Sequence, residues 1–330
     1  MRNWKANSPS CQQMSEKGIF GLFFFCFHPE FIRHFSLPVP NRYIWVRKPR
    51  IKRVMVMEQW RFLNTGKSSP EVNMAIDEAI LIAHSQGLVP PTVRFYGWDP
   101  PTLSIGYFQR VDRDVDIAKL RQRGLGFVRR ATGGRAVLHD RELTYSVVVA
   151  EDHPLMPGSV LEAYRVISKG LVEGFRRLGL CADMVSLAGD EERQKFGSPG
   201  SAACFDSPSW YELVVEGRKV AGSAQLRQKG VILQHGSILQ ELDADRLFEV
   251  LRFPTEELRR RMRESFEERA VPIHQLREPV TWEEMVQAFY DGFAAGLGVR
   301  LVEGELTPEE KRLAAELARR YASEEWNFRR

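Results

Sequence analysis

One cysteine and one lysine stand in a pattern that suits nucleophilic chemistry. Cys204 lies in a Gly-, Ser- and Pro-containing loop, within SAACFDSPSW, and Lys219 follows where a strand opens beyond the turn Glu216-Gly217-Arg218. A hairpin can bring a loop thiol against a strand ammonium. A nearby cation lowers a thiol pKa and populates the thiolate, the form that attacks carbonyl carbon. Each residue also has a plain reading: a free cysteine is commonly a small buried apolar side chain, and a hairpin lysine is commonly solvated. Phe205, Trp210 and Tyr211 surround the cysteine in sequence, either lining an apolar tunnel or belonging to the core.

A second stretch, RRATGGRAVLHD at Arg129–Asp140, falls between two strand-like segments rather than ahead of a helix, so it is not a dinucleotide fingerprint. Gly133-Gly134 permits close backbone approach and positive φ. Arg129, Arg130 and Arg135 offer charged donors around it. The loop reads as a cradle for an acyl group or an anion, or as a plain β-turn; His139 reads as an oriented imidazole or as a structural residue closing a strand. In QHGSIL at Gln234–Leu239, Gly236 signals a bulge or a close approach, and His235 reads as structural. Cys181 ends an apolar helical run and reads as buried and inert.

The elements that must position these residues follow from periodicity. Pro70 in a first turn and apolar residues at Val72, Ala75, Ile76, Ala79, Ile80 and Ala83 predict a helix ending at Gly87. Strands are predicted at Trp60–Leu63, Thr92–Trp98, Thr102–Phe108, Gly126–Ala131, Ala136–His139 and Leu143–Ala150, most too closely spaced for parallel crossovers. A helix over Ser159–Leu178 precedes the cysteine loop. The hairpin Tyr211–Val215/Lys219–Gln225 and a strand Val231–Leu239 come after it. Helices at Asp243–Leu251, Thr255–Phe266, Thr281–Leu297 and Thr307–Tyr321, with a short strand Val299–Val302, complete an α+β pattern of mixed and antiparallel sheets packed with helices.

Charge divides the chain. Residues 1–56 carry ten Lys+Arg against two Asp+Glu, so the net +4 of the whole chain leaves residues 57–330 with 37 against 41, a mildly acidic body. The basic balance therefore gives no ground for a nucleic-acid or membrane partner. Residues 1–56 form a basic, aromatic-rich extension without helical or strand period, read as disordered or as translated upstream sequence with Met57 or Met55 as the true start, or else as an organellar presequence. Residues 57–302 are read as the catalytic domain and 303–330 as a C-terminal amphipathic helix. Four cysteines without a C-x-x-C pair imply a reducing, cytoplasmic setting, and seven scattered histidines give no metal-ligand spacing.

With NMAIDEA at Asn73–Ala79 and QHGSIL, the two chemical stretches resemble the biotin/lipoyl protein ligase and transferase family over about Trp60 to Leu251. Within it, GGRAVLHD, ACFDSPSW and GRKVAGSAQ together resemble the octanoyltransferases that load octanoate from acyl carrier protein onto the glycine cleavage H protein. The resemblance implies that Cys204 forms an acyl-thioester, that Lys219 lowers its pKa and steadies the oxyanion, and that Arg129, Arg130, Gly133, Gly134, Arg135 and His139 bind the acyl substrate. It implies no cofactor and no metal. Related readings are an ATP-dependent lipoate ligase, an amidotransferase taking octanoate from H protein to dehydrogenase subunits, and a binding module without turnover. Lipoate ligases usually show a third glycine where Arg135 stands, which speaks against adenylate chemistry.

Overall fold

The computed structural model describes residues 57–186 and 211–329. Its strands are β1 (Gln59–Ser68), β2 (Thr92–Trp98), β3 (Thr102–Ile105), β4 (Gly126–Arg129), β5 (Val137–His139), β6 (Glu142–Ala150), β7 (Ala182–Ser186), β8 (Tyr211–Val215), β9 (Arg218–Gln228), β10 (Val231–Leu239) and β11 (Arg300–Glu303). They form a mixed eight-stranded sheet in the order β11-β1-β2-β6-β10-β9-β8-β7 and a three-stranded sheet β4-β3-β5. The expected α+β class is what the chain adopts.

Alternation along the large sheet assigns its two faces. Phe62, Val93, Phe95, Tyr145, Val147 and Ile232 join one core under the helices Val160–Arg177 and Trp282–Leu297. Those two helices touch closely, since a Cβ on Gly292 would lie 2.4 Å from the Gly174 nitrogen. Leu63, Tyr96, Trp98, Val148 and Leu233 point the other way, onto the helix Pro70–Ser85. Beyond that helix the same face is roofed by the small sheet and the helix Ala244–Val250, which share a third core around Leu103, Ile105 and Phe248.

Three features depart from the expectations. β1 pairs parallel with both β2 and β11, and β3 pairs parallel with β4. The β1–β2 crossover is the helix Pro70–Ser85; the β3–β4 crossover holds two short helices, Val111–Asp114 and Ile117–Gln122, too short to show a helical period. β3 stops at Ile105 because the chain turns at once, with the Gln109 amide donating to the Gly106 carbonyl at 3.1 Å. Cys181 is exposed rather than buried: it stands in the connection between the helix Val160–Arg177 and β7, one residue before Ala182 enters the core.

Both hairpin turns on the way to the site use two residues at positive φ, Glu216-Gly217 (51° and 73°) and Lys229-Gly230 (55° and 72°). This is the primed-turn geometry whose twist matches that of the strands it joins. It sets β8, β9 and β10 in tight antiparallel succession, with β9 running Arg218–Gln228, longer than expected.

Candidate active site

A narrow cleft opens between the large sheet and the small one. Its walls are mostly apolar, built from Met74, Tyr96, Trp98, Val137 and Ala224, with a few polar side chains, among them Arg130, His139, His235 and Ser237. Gly222, Ser223 and Ala224 of β9 form one edge. This is the form of a small-ligand site: concave, apolar, with few and fixed polar groups.

Beneath the cleft lies a buried polar network centred on Asp77. One carboxylate oxygen accepts from the Arg94 guanidinium at 2.6 Å and from Ser146 Oγ at 2.8 Å; the other accepts from the Tyr96 hydroxyl at 2.9 Å and faces His235 Nδ1 at 3.2 Å. His235 Nε2 lies 2.7 Å from Thr132 Oγ1, so the network reaches the loop Arg129–Asp140. Burial opposes ionisation of Asp77, yet Arg94 and the hydrogen bonds from His235 and Ser146 outweigh it and hold the carboxyl below its usual range. Asn73, one helical turn earlier, donates to the carbonyls of Gly97 at 2.8 Å and Ser68 at 3.1 Å and fixes the helix on β2.

Within the loop the two adjacent arginines diverge. Arg129 is fully enclosed, and its guanidinium donates to the carbonyls of Gly106, Tyr107 and Gln109 at 2.7–3.1 Å and to that of Asn327 at 3.0 Å. Arg130 turns to the cleft and donates to Ser104 Oγ at 3.0 Å and to the carbonyls of Gly133 and Arg135 at 2.9 and 2.7 Å, bracing the turn from inside. Gly134 has φ +90°, and a Cβ there would lie 2.9 Å from Arg130 Nη2. Gly106 packs on the same turn so closely that a Cβ on it would stand 2.0 Å from the Gly134 carbonyl oxygen. Arg135 is partly buried.

His139 is buried, stacked on Trp98 with centroids 4.2 Å apart, its Nε2 2.8 Å from Ser104 Oγ and its Nδ1 3.2 Å from Glu142. Burial pushes its pKa below the ordinary imidazole value despite the opposing pull of Glu142. The fold therefore gathers Arg130 and His139 at the cleft and directs Arg129 away from it.

Lys219 is buried near the start of β9, with Nζ 2.7 Å from Glu212 Oε2 across the hairpin. Gly222 is three residues further along the strand, about 10 Å at the usual rise per residue. Cys204, Phe205 and Trp210 lie outside the described residues, as does the side chain of Tyr211. No residue pattern in the sequence picks out Asp77, Arg94, Thr132, Glu212 or Ser237 individually as part of a site. The available signal was Asn73 and Asp77, spaced i, i+4 beside the apolar stripe of a helix.

Among the described residues no helix is long and apolar enough to cross a membrane. The sequence model of the lipoyl protein ligase A/B catalytic domain matches residues 69–294, and the chain belongs to that family. It is an acyltransferase. A protein of Brevibacillus brevis named octanoyltransferase LipM is 63% identical over 83% of this chain and 100% of its own length. Its namesake in Kyrpidia tusciae is 60% identical over the same shares. Among solved structures, that of the bi-partite lipoate protein ligase of Thermoplasma acidophilum superposes with a TM-score of 0.68 at 29% identity, covering 82% of this chain and 96% of that one.

Proposed function

We propose that this protein transfers an octanoyl group from octanoyl-acyl carrier protein to a lysine of an apo lipoyl domain, that of the glycine cleavage H protein first, in cytoplasmic lipoate biosynthesis. The observation that carries the reading is the match over the whole length of two relatives named for octanoyl transfer, at 60% identity and above and over 83% of this chain. The apolar cleft supports it, since a saturated acyl chain needs walls rather than partners.

In this reading the Cys204 thiolate adds to the thioester carbonyl. The adduct collapses by breaking the C–S bond to the carrier, whose thiolate takes a proton from solvent. One thioester replaces another, so this step is nearly isoenergetic. The neutral amine of the acceptor lysine then adds to the enzyme thioester, loses its proton and expels the Cys204 thiolate, leaving a stable amide. Lys219, held by Glu212, lowers the thiol pKa and donates to the developing oxyanion. Arg130, Gly133, Gly134 and His139 wall the acyl chain, and Arg129 and Arg135 hold the shape of that wall. Neither ATP nor a metal enters any step.

The test is to mix the protein with octanoyl-acyl carrier protein and apo lipoyl domain without ATP and to weigh the products. Octanoylated lipoyl domain and free carrier thiol are expected. Labelling only when ATP and free lipoate are supplied would assign the chain to ligase chemistry instead.

A further inference from the structure

Ser237 lies on β10 with 1% of its surface exposed, at the wall of the cleft, and its hydroxyl has no hydrogen-bond partner among the described residues. Its strand neighbours leave it in that state. In register it faces Thr144 on β6 and Gly222 on β9. Gly222 offers no side chain. The Thr144 hydroxyl already accepts from Trp98 Nε1 at 2.8 Å and donates to Glu142 at 2.5 Å.

The other hydroxyls on the wall are likewise engaged: Tyr96 with Asp77, Ser104 with Arg130 and His139, Ser223 with Tyr145. A buried hydroxyl without a partner costs about 1–3 kcal/mol, and natural folds seldom keep one without use. A hydrocarbon chain in the cleft would leave that cost in place. The polar atom that an acyl group brings to such a wall is its carbonyl oxygen.

We propose that Ser237 Oγ donates a hydrogen bond to the carbonyl oxygen of the bound acyl group and fixes how far the chain enters the cleft. The inference rests on the acyl-transfer reading and adds a substrate contact to it. Because the hydroxyl has no partner among the described residues, Ser237→Ala removes a liability of the fold and a contact of the substrate together. Those effects have opposite signs.

The experiment compares full-length wild type, Ser237→Ala and Ser237→Thr by denaturant unfolding, by steady-state kinetics with octanoyl-acyl carrier protein, and by calorimetric titration with N-methyloctanamide and with an alkane of matched length. Ser237→Ala is expected to be at least as stable as wild type. Its donor KM should rise about three- to tenfold and its affinity for the amide should fall by a like factor, as for one net hydrogen bond. Alkane affinity should not change, and Ser237→Thr, which keeps the hydroxyl, should recover most of the amide affinity. A Ser237→Ala protein that is less stable than wild type, or that binds the amide as wild type does, overturns the inference while leaving octanoyl transfer by the wild type intact. Wild type without affinity for the amide overturns the reading of the cleft, and this inference with it.

Discussion

Asp77 on the helix Pro70–Ser85 and His235 on β10 stand 3.2 Å apart, and the far nitrogen of that imidazole lies 2.7 Å from Thr132 in the glycine loop. A carboxylate under the sheet face is thus coupled, through one ring, to the wall of the cleft. The same carboxylate pairs with fully buried Arg94, so its removal strands a guanidinium in the interior.

Breaking a buried ion pair from one side costs about 3–5 kcal/mol. Asp77→Asn should therefore lower the denaturant midpoint by a corresponding amount, and the loss should depend on pH. The folded carboxyl is held below its ordinary pKa, so as pH falls toward 4 the unfolded chain binds a proton before the folded one. Wild type has the full contribution above about pH 5 and loses it as pH drops through the folded value. The stability gap between wild type and Asp77→Asn should accordingly shrink between pH 6 and pH 3. A gap constant over that range, or below about 1 kcal/mol at neutral pH, would contradict the role given to Asp77.

The C-terminal segment clasps the other end of the loop. Asn327 Oδ1 accepts from the Arg129 amide at 2.7 Å, and Trp326 Nε1 donates to the Arg129 carbonyl at 2.8 Å. Asn327→Ala should cost about 1–3 kcal/mol, as expected when a buried amide loses its acceptor. It should also speed hydrogen exchange at residues 105–109 and 129–134, with donor KM rising more than kcat falls. Unchanged exchange in both segments would show that the clasp does not hold the loop.

Lys219 and Glu212, 2.7 Å apart, give opposite expectations for the thiol. Alkylation of Cys204 by iodoacetamide against pH reports the thiolate fraction. Lys219→Ala should move that profile to higher pH. Glu212→Gln leaves the ammonium without its carboxylate and should move the profile lower. Superimposed profiles for all three proteins would withdraw Lys219 from the chemistry.

Much of this arrangement was legible in the sequence because it depends on local rules. Proline in the first turn marked the helix Pro70–Ser85, Glu216-Gly217 marked the hairpin, and Gly133-Gly134 marked the turn that Arg130 now braces. What escaped depends on long-range pairing. β3, β4 and β5 have four, four and three residues, and nothing in segments so short tells which sheet they join. Asp77 and Arg94 look like ordinary surface charges until the helix lies across β2, and the clasp on Arg129 spans 198 residues. Gly236 signals a bulge or a close approach, and the close approach is what it makes: β10 runs unbroken through it, and a Cβ there would lie 2.4 Å from the Gly222 carbonyl oxygen, whereas nothing local marks Ser237 beside it.

The central claim is that the acyl group passes through Cys204. The direct measurement omits the acceptor: wild type and Cys204→Ser are each incubated with octanoyl-acyl carrier protein alone, digested at low pH, and mapped by peptide mass spectrometry with and without hydroxylamine. The account predicts one octanoyl adduct on the peptide holding Cys204, removed by hydroxylamine as a thioester is, with an equal amount of free carrier thiol. Cys204→Ser should give no thioester and no transfer when apo lipoyl domain is added. Transfer by Cys204→Ser at the wild-type rate, or an adduct on any other residue, would contradict it.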